Sequence, residues 1–254
     1  MVHFGVQSYL WNDKIESEKD FSNMDRKQIG YYDYTVVLTY LGFIISLCGI
    51  MQAINGQYLN AVLCLMVTGI CDMFDGAVAA TKKNRTHQEK RFGIQIDSLS
   101  DLVSFGVFPA LLVYEMSGKA LAVGLVSIVY ALCALIRLAY YNVLEEERQD
   151  KIAEHLKEMA DQSLETQVME EEKKVYMGLP VTFIAITLPA VYFFYDDNIM
   201  HANLWLGGLL AIMAVAFVTP VKIQKPKVMG KIVLLILGVL EIIAMTWLAL
   251  VGAT

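Results

Sequence analysis

The chain has 254 residues, 56% of them hydrophobic and only 18% charged, with a formal net charge of −6 and a mean hydropathy of +0.49. That balance excludes an ordinary water-soluble domain and reads as an integral membrane protein. Cys48, Cys64, Cys71 and Cys133 all fall in apolar stretches and form no CxxC pair, which argues against a disulfide framework or a zinc site.

Residues 1–33 are polar and mixed in charge, with no cleavable signal sequence, and their Trp11, Phe21, Tyr31 and Tyr32 suit a cytosolic segment resting at the membrane interface. Apolar stretches follow at 34–53, 58–80, 94–117, 119–144, 177–195, 203–220 and 230–251. A helix needs about 20 apolar residues to cross the hydrocarbon layer. The expected fold is therefore all-α, a polytopic transmembrane helical bundle of about seven spans. Residues 34–144 form the first four helices and carry the site, 145–176 an acidic cytosolic insertion, and 177–254 the last three helices. The insertion holds eleven acids and five bases between 145 and 174, and Ile152, Leu156, Met159 and Leu164 recur at helical spacing, predicting a helix or short hairpin.

Lysine and arginine mark the cytoplasmic loops of multispanning proteins. Eighteen of the 20 basic residues lie before the first stretch or in alternate loops, leaving Lys119 on the opposite face and Arg137 within a span. This alternation predicts a cytoplasmic N-terminus, an external C-terminus, and a cytoplasmic position for the end of the second span and the start of the third. There the sequence reads CDMFDGAVAA (71–80) and GIQIDSLSD (93–101). Asp72 and Asp75 are spaced i, i+3, and Asp97 and Asp101 i, i+4, so each pair projects from one helical face. A carboxylate within a span costs about 2.5–3.5 kcal/mol on insertion scales, and four that converge repel one another unless divalent cations with oxygen ligands join them. The expected cofactor is Mg²⁺ or Mn²⁺, as a pair of ions. Capping of a helix start accounts for Asp97 and Asp101 at most, because Asp72 and Asp75 sit toward a helix C-terminus, where acids are disfavoured. Gly76, with the small Ala77, Ala79 and Ala80 beyond it, leaves one wall open to a bulky group, and Gly93 does so opposite. The intervening KKNRTHQEKR offers cations, Arg85 among them, to a phosphate-bearing ligand at the membrane surface.

These residues resemble the signature of the CDP-alcohol phosphotransferases, D-x-x-D-G-x-x-A-R, a spacer of eight, then G-x-x-x-D-x-x-x-D. Ala80 stands where that family has Arg, and twelve residues, 81–92, fill the spacer. The segments SLSDLVSFGVFP, LIRLAYYN and GLP resemble the branch that transfers a phosphatidyl group from CDP-diacylglycerol to L-serine. The resemblance implies that Asp72, Asp75, Asp97 and Asp101 hold the metal ions, that Asp101 also takes the proton of the serine hydroxyl, and that Asp72, Gly76, Ala79 and Gly93 lie near the nucleotide. It also implies a homodimer in the inner membrane, with membrane lipid rather than nucleic acid around it. Arg137 either recognises the serine carboxylate or lipid phosphate, or snorkels to the interface, or pairs with an acid of the cluster. Alternatives are an acceptor such as glycerol 3-phosphate or inositol phosphate, a weakened or non-catalytic lipid-binding relative on account of Ala80, and a cation transporter.

Overall fold

The computed structural model describes residues 30–82, 84–158, 175–177, 179–193, 199–220, 222–224 and 236–247. The interfacial aromatics Trp11 and Phe21, and Met159 and Leu164 of the insertion, lie outside these residues.

Helix α1 (Tyr34–Ile54) begins at Asp33, whose carboxylate accepts from the Thr35 amide at 3.0 Å and thereby satisfies one of the amides a helix start leaves open. Its buried residues Thr35, Thr39, Gly42, Ser46, Gly49 and Ala53 recur every three or four positions. They form a stripe of small side chains along which α2 (Tyr58–Ala80) packs closely. On the other side of α1, Leu41, Ile44, Leu47 and Met51 are exposed. Apolar residues outside and small or polar ones inside is the arrangement that lipid selects.

A short loop leads to α3 (His87–Asp101), a π-helical turn (Leu102–Val107) and α4 (Phe108–Met116), which together form one rod. The π turn has a cause in the sequence. In an unbroken α-helix the Phe105 carbonyl would accept from the amide of residue 109, but Pro109 has no N–H. The hydroxyl of the fully buried Tyr130 donates to that carbonyl instead, at 2.5 Å. Helix α5 (Leu121–Glu158) supplies Tyr130 and runs for 38 residues. Strand β1 (Val175–Met177), a 3₁₀ turn (Val181–Phe183), α6 (Ile184–Tyr192), α7 (Ile199–Val218), strand β2 (Lys222–Gln224) and α8 (Ile236–Trp247) complete the described chain. Helices α5 and α7 pack together on one side of the bundle, and α6 lies against α2.

Among the described residues, four helices are long and apolar enough to cross a membrane, Tyr34–Ile54, Tyr58–Ala80, Gln88–Met116 and Leu121–Glu147. Shorter apolar helices at Val181–Tyr192, Asn203–Val218 and Ile236–Trp247 fall within the last three expected stretches. Three boundaries differ from the sequence reading. The third helix starts at His87 rather than near residue 94, because Thr86 and Glu89 form a reciprocal cap: the Thr86 side chain accepts from the Glu89 amide, and the Glu89 carboxylate from the Thr86 amide. Asp97 and Asp101 therefore stand well inside a helix, and a capping role accounts for neither. The fourth helix continues unbroken across 144–145 into the acidic insertion, since nothing in Leu-Glu-Glu-Glu stops it. Met177 is extended, not helical: Pro180 disfavours helix at the residue before it, so the helical stretch starts only at Val181.

The extended residues make an antiparallel pair, Val175 with Gln224 and Met177 with Lys222, a small departure from an all-α chain. The pair joins the segments flanking the α6–α7 hairpin, which the basic-residue alternation assigns to one side.

Helix α1 packs tightly at Gly49, where a Cβ would lie 2.3 Å from Cζ of Phe108 on α4 and 2.9 Å from Cβ of Cys64 on α2. Gly49→Ala is expected to force these helices apart and cost about 1–3 kcal/mol, read as a lowered Tm of the detergent-solubilised protein.

Candidate active site

Helices α2 and α3 are joined by a tight loop and run in opposite directions. Each packs on α1, yet their backbones barely approach each other. The gap between them is where the acids meet. On α2, Asp72, Gly76 and Ala80 fall at four-residue steps on one face, as do Gly93, Asp97 and Asp101 on α3. Oxygen atoms of Asp72, Asp97 and Asp101 lie within 4.8 Å of one another. Asp72 and Asp101 face each other at side-chain hydrogen-bonding range, and so do Asp75 and Asp97. Asp75 is the most enclosed of the α2 acids, and Thr39 of α1 donates to its Oδ2 at 3.0 Å. Hydropathy and motif spacing do not single out Thr39. Its one signal is a hydroxyl in the small-residue stripe.

Three carboxylate oxygens so close, in a partly buried cleft, fit one hard divalent ion, which binds oxygens at about 2.0–2.1 Å and so spans about 4 Å between opposite ligands. Asp75 stands beside this trio rather than in it. Its contact is with Asp97, one of the three.

Two further contacts fix the rod that carries Asp97 and Asp101. Ser98 donates to Oδ1 of Asn142 on α5 at 2.7 Å. Beyond Asp101, the buried Ser104 donates to Ser46 at 3.1 Å, and Ser46 to the Phe43 carbonyl at 2.8 Å, tying the π turn to α1.

The loop is also held. Lys82 Nζ lies 2.6 Å from Asp33 and 3.2 Å from Glu89, joining the starts of α1 and α3. The Lys82 ammonium, with the Thr35 hydroxyl, draws the Asp33 carboxyl down from 3.8 to about 2, and the two carboxylates raise the Lys82 ammonium in turn. Arg91 pairs with Glu146 at the start of the insertion, 3.2 Å away. Arg85 lies along α3 with its guanidinium against Gly93, where a Cβ would be 2.6 Å from Nη2. The open wall is thus on α2 alone: a Cβ on Gly76 would meet nothing within 4 Å, and Ala79 is half-buried beside it. Arg137 is buried on α5, donates from Nε to the Leu179 carbonyl at 3.3 Å and stacks over Tyr141 with its Cζ 5.3 Å from the ring centre. It anchors α5 to the turn that precedes α6.

A four-carboxylate cleft between two apolar helices defines the class. A family model for CDP-alcohol phosphatidyltransferase matches residues 35–219, and the chain belongs to that family, whose members in general depend on divalent metal. Together with the four long apolar helices, this makes it an integral membrane protein. The CDP-diacylglycerol–serine O-phosphatidyltransferase of Mycobacterium tuberculosis is 36% identical over 111 residues, 43% of this chain and 37% of the relative. Archaetidylserine synthase of Methanothermobacter thermautotrophicus is 26% identical over 209 residues, 81% of this chain and 75% of the relative. The CDP-diacylglycerol–serine O-phosphatidyltransferase of Bacillus subtilis is 26% identical over 166 residues, 65% and 77%. The match to the mycobacterial protein thus spans little more than a third of that relative's length.

Two outcomes test this geometry. Tyr130→Phe leaves the Phe105 carbonyl without its side-chain donor and is expected to cost about 1–3 kcal/mol, measured as a Tm shift against wild type in detergent. For Asp33 the folded-state value lies below the ordinary one, so its contribution is full above about pH 4 and disappears as pH falls through about 2. The Tm gap between wild type and Asp33→Asn is expected to hold steady down to about pH 4 and to close below it.

Proposed function

We propose that this protein transfers a phosphatidyl group from CDP-diacylglycerol to L-serine, giving phosphatidylserine and CMP, at the cytoplasmic leaflet of the inner membrane. The observation that carries the reading is the convergence of Asp72, Asp97 and Asp101, with oxygens within 4.8 Å, in a chain of this family. Serine as acceptor is supported by the similarity to CDP-diacylglycerol–serine O-phosphatidyltransferases and by the SFG, LIRLAYYN and GLP segments. Glycerol 3-phosphate or inositol phosphate would bring a second phosphate, which calls for more cations within the spans than Arg137 alone. Four acids gathered in one cleft, rather than strung singly along several helices, favour a transferase over a cation pathway.

The donor set is all carboxylate, which suits Mg²⁺ or Mn²⁺. Asp72, Asp75, Asp97 and Asp101 would hold the ions. When bound, they polarise the diphosphate and neutralise charge developing on its oxygens. The residues of the chain do the rest. Thr39 holds Asp75 in place by its hydrogen bond, and the open face of Gly76 with Ala79 admits the nucleotide against the α2 backbone. A carboxylate oxygen of Asp101 accepts the proton of the serine hydroxyl as the hydroxyl oxygen bonds to the phosphorus bearing diacylglycerol. The bond from that phosphorus to the bridging oxygen breaks, and CMP departs with that oxygen. The acyl chains stay in lipid throughout, so the substrate need not leave the membrane. A homodimer is part of the same reading, checked by light scattering of the solubilised protein.

Purified protein with CDP-diacylglycerol and Mg²⁺ or Mn²⁺ is expected to release CMP with serine, and to stop when the metal is chelated. Asp101→Asn should lower kcat about 100- to 10,000-fold. Release with glycerol 3-phosphate or inositol phosphate but not serine would overturn the acceptor. No release with any of the alcohols would point to the non-catalytic relative that Ala80 favours.

A further inference from the structure

We propose that Arg85 supplies the guanidinium that grips the diphosphate of the nucleotide substrate, reaching from the loop to the level of the cleft that residue 80 occupies on α2. The proposal rests on the reading of the ligand as a CDP-linked lipid and assigns one contact within it.

Three observations lead there. The first is what the cations of the loop are doing. Lys82 is held between Asp33 and Glu89, and Arg91 is paired with Glu146. Arg85 has no ion pair among the described residues. Its Nη2 donates to the Glu89 carbonyl at 3.3 Å, while its Nε is buried without a hydrogen-bond partner among the described residues. A buried N–H of a cation left unmatched is costly, on the order of 1–3 kcal/mol, and an anion arriving in the cleft would remove that cost.

The second is direction. The guanidinium lies on the α-carbon of Gly93, close enough that any Cβ there would meet Nη2 at 2.6 Å. Gly93 is one turn before Asp97 and two before Asp101 on the same helical face, about 6 Å and 12 Å along the axis. Arg85 thus lies on the carboxylate face of α3, at the loop end of the cleft.

The third is register. Asp72 of α2 meets Asp101 of α3, and the helices run in opposite directions. Each four-residue step along α2 therefore matches a four-residue step back along α3. Gly76 comes level with Asp97, and Ala80 with Gly93. Position 80 carries only a methyl group, and the guanidinium of Arg85 takes the space at that level. The cleft then has carboxylates for metal at its inner end, the open wall of Gly76 in the middle, and one fork of N–H donors at its outer end. A fork of this kind matches two oxygens of a phosphate, and a diphosphate is long enough to touch both ends.

The test is isothermal titration of the full chain in detergent with Mg²⁺, using CDP and cytidine as probes. Arg85→Ala is expected to weaken CDP about 10- to 100-fold and to leave cytidine unchanged. Gly93→Ala, which displaces the guanidinium, should weaken CDP in the native background and add nothing to Arg85→Ala. Ala80→Arg placed in the Arg85→Ala background should restore most of the affinity. Unchanged CDP binding in Arg85→Ala, or equal loss for CDP and cytidine, would overturn the assignment while leaving the nucleotide reading in place. Wild-type protein that binds neither probe would overturn that reading itself, before any substitution is made.

Discussion

Mutual repulsion of carboxylates in a poorly polarisable setting is the constraint on which the rest of the structure depends. Each acid within a span costs about 2.5–3.5 kcal/mol on insertion scales, so four approach the 5–15 kcal/mol by which a typical domain is stable at all. The acids do not hold one another together. They are brought together by rods fixed elsewhere: α2 by the small-residue stripe of α1, and α3 by Asn142, the Arg91–Glu146 pair and the serine link to α1. Carboxylates brought together by rods fixed elsewhere form a donor set that suits divalent cations.

The scaffold follows from the same premise. Lipid offers apolar side chains nothing to gain by turning inward, so close backbone approach and satisfied polar groups must supply the cohesion. Gly49 against Phe108 and Thr68 donating to the Gly42 carbonyl at 3.3 Å are examples. Pro109 joins the two themes. By withholding an amide it loosens the rod into a π turn directly after Asp101, and Tyr130 repairs the exposed carbonyl from α5. Such turns re-aim the residues before and after them, and here the residue before is the candidate base.

Much of this was legible in the sequence because it depends on short-range spacing. The i, i+3 and i, i+4 placement of the acids, on two apolar stretches joined by a short loop, already allowed them to meet at one depth. Apolar length placed the first two long helices within a residue or so, and the existence, though not the ends, of the next two. What escaped depends on contacts between distant positions or on local competition. Thr39 is one hydroxyl in a helix that has others, and only the α1–α2 packing singles it out as the partner of Asp75. The early start of α3 was written in Thr86 and Glu89, but the charged first turn hid it from a reading that followed hydropathy. Arg137 drew notice as a cation in a span, and its partners, a carbonyl beside Pro180 and the Tyr141 ring, come from the tertiary fold and from its own helix.

Charge placement within the cleft also explains how the loop is built. The segment 82–91 carries five cations, and Lys82, Arg85 and Arg91, were all three free, would repel each other and compete for the same anion. Asp33, Glu89 and Glu146 remove two of them from that competition by ion pairs at 2.6–3.2 Å. Each of those pairs also ties α3 or its loop to another helix. Arg85 alone is left directed at the α3 face, with the glycine beneath it giving the room a side chain would deny. Pairing thus does two jobs at once: it fixes the helices that carry the carboxylates, and it leaves the Arg85 guanidinium, whose Nε lacks an acceptor among the described residues. A loop longer than the resemblance calls for is what this requires, because a cation carried by the loop must reach back over the start of α3 to stand level with the end of α2.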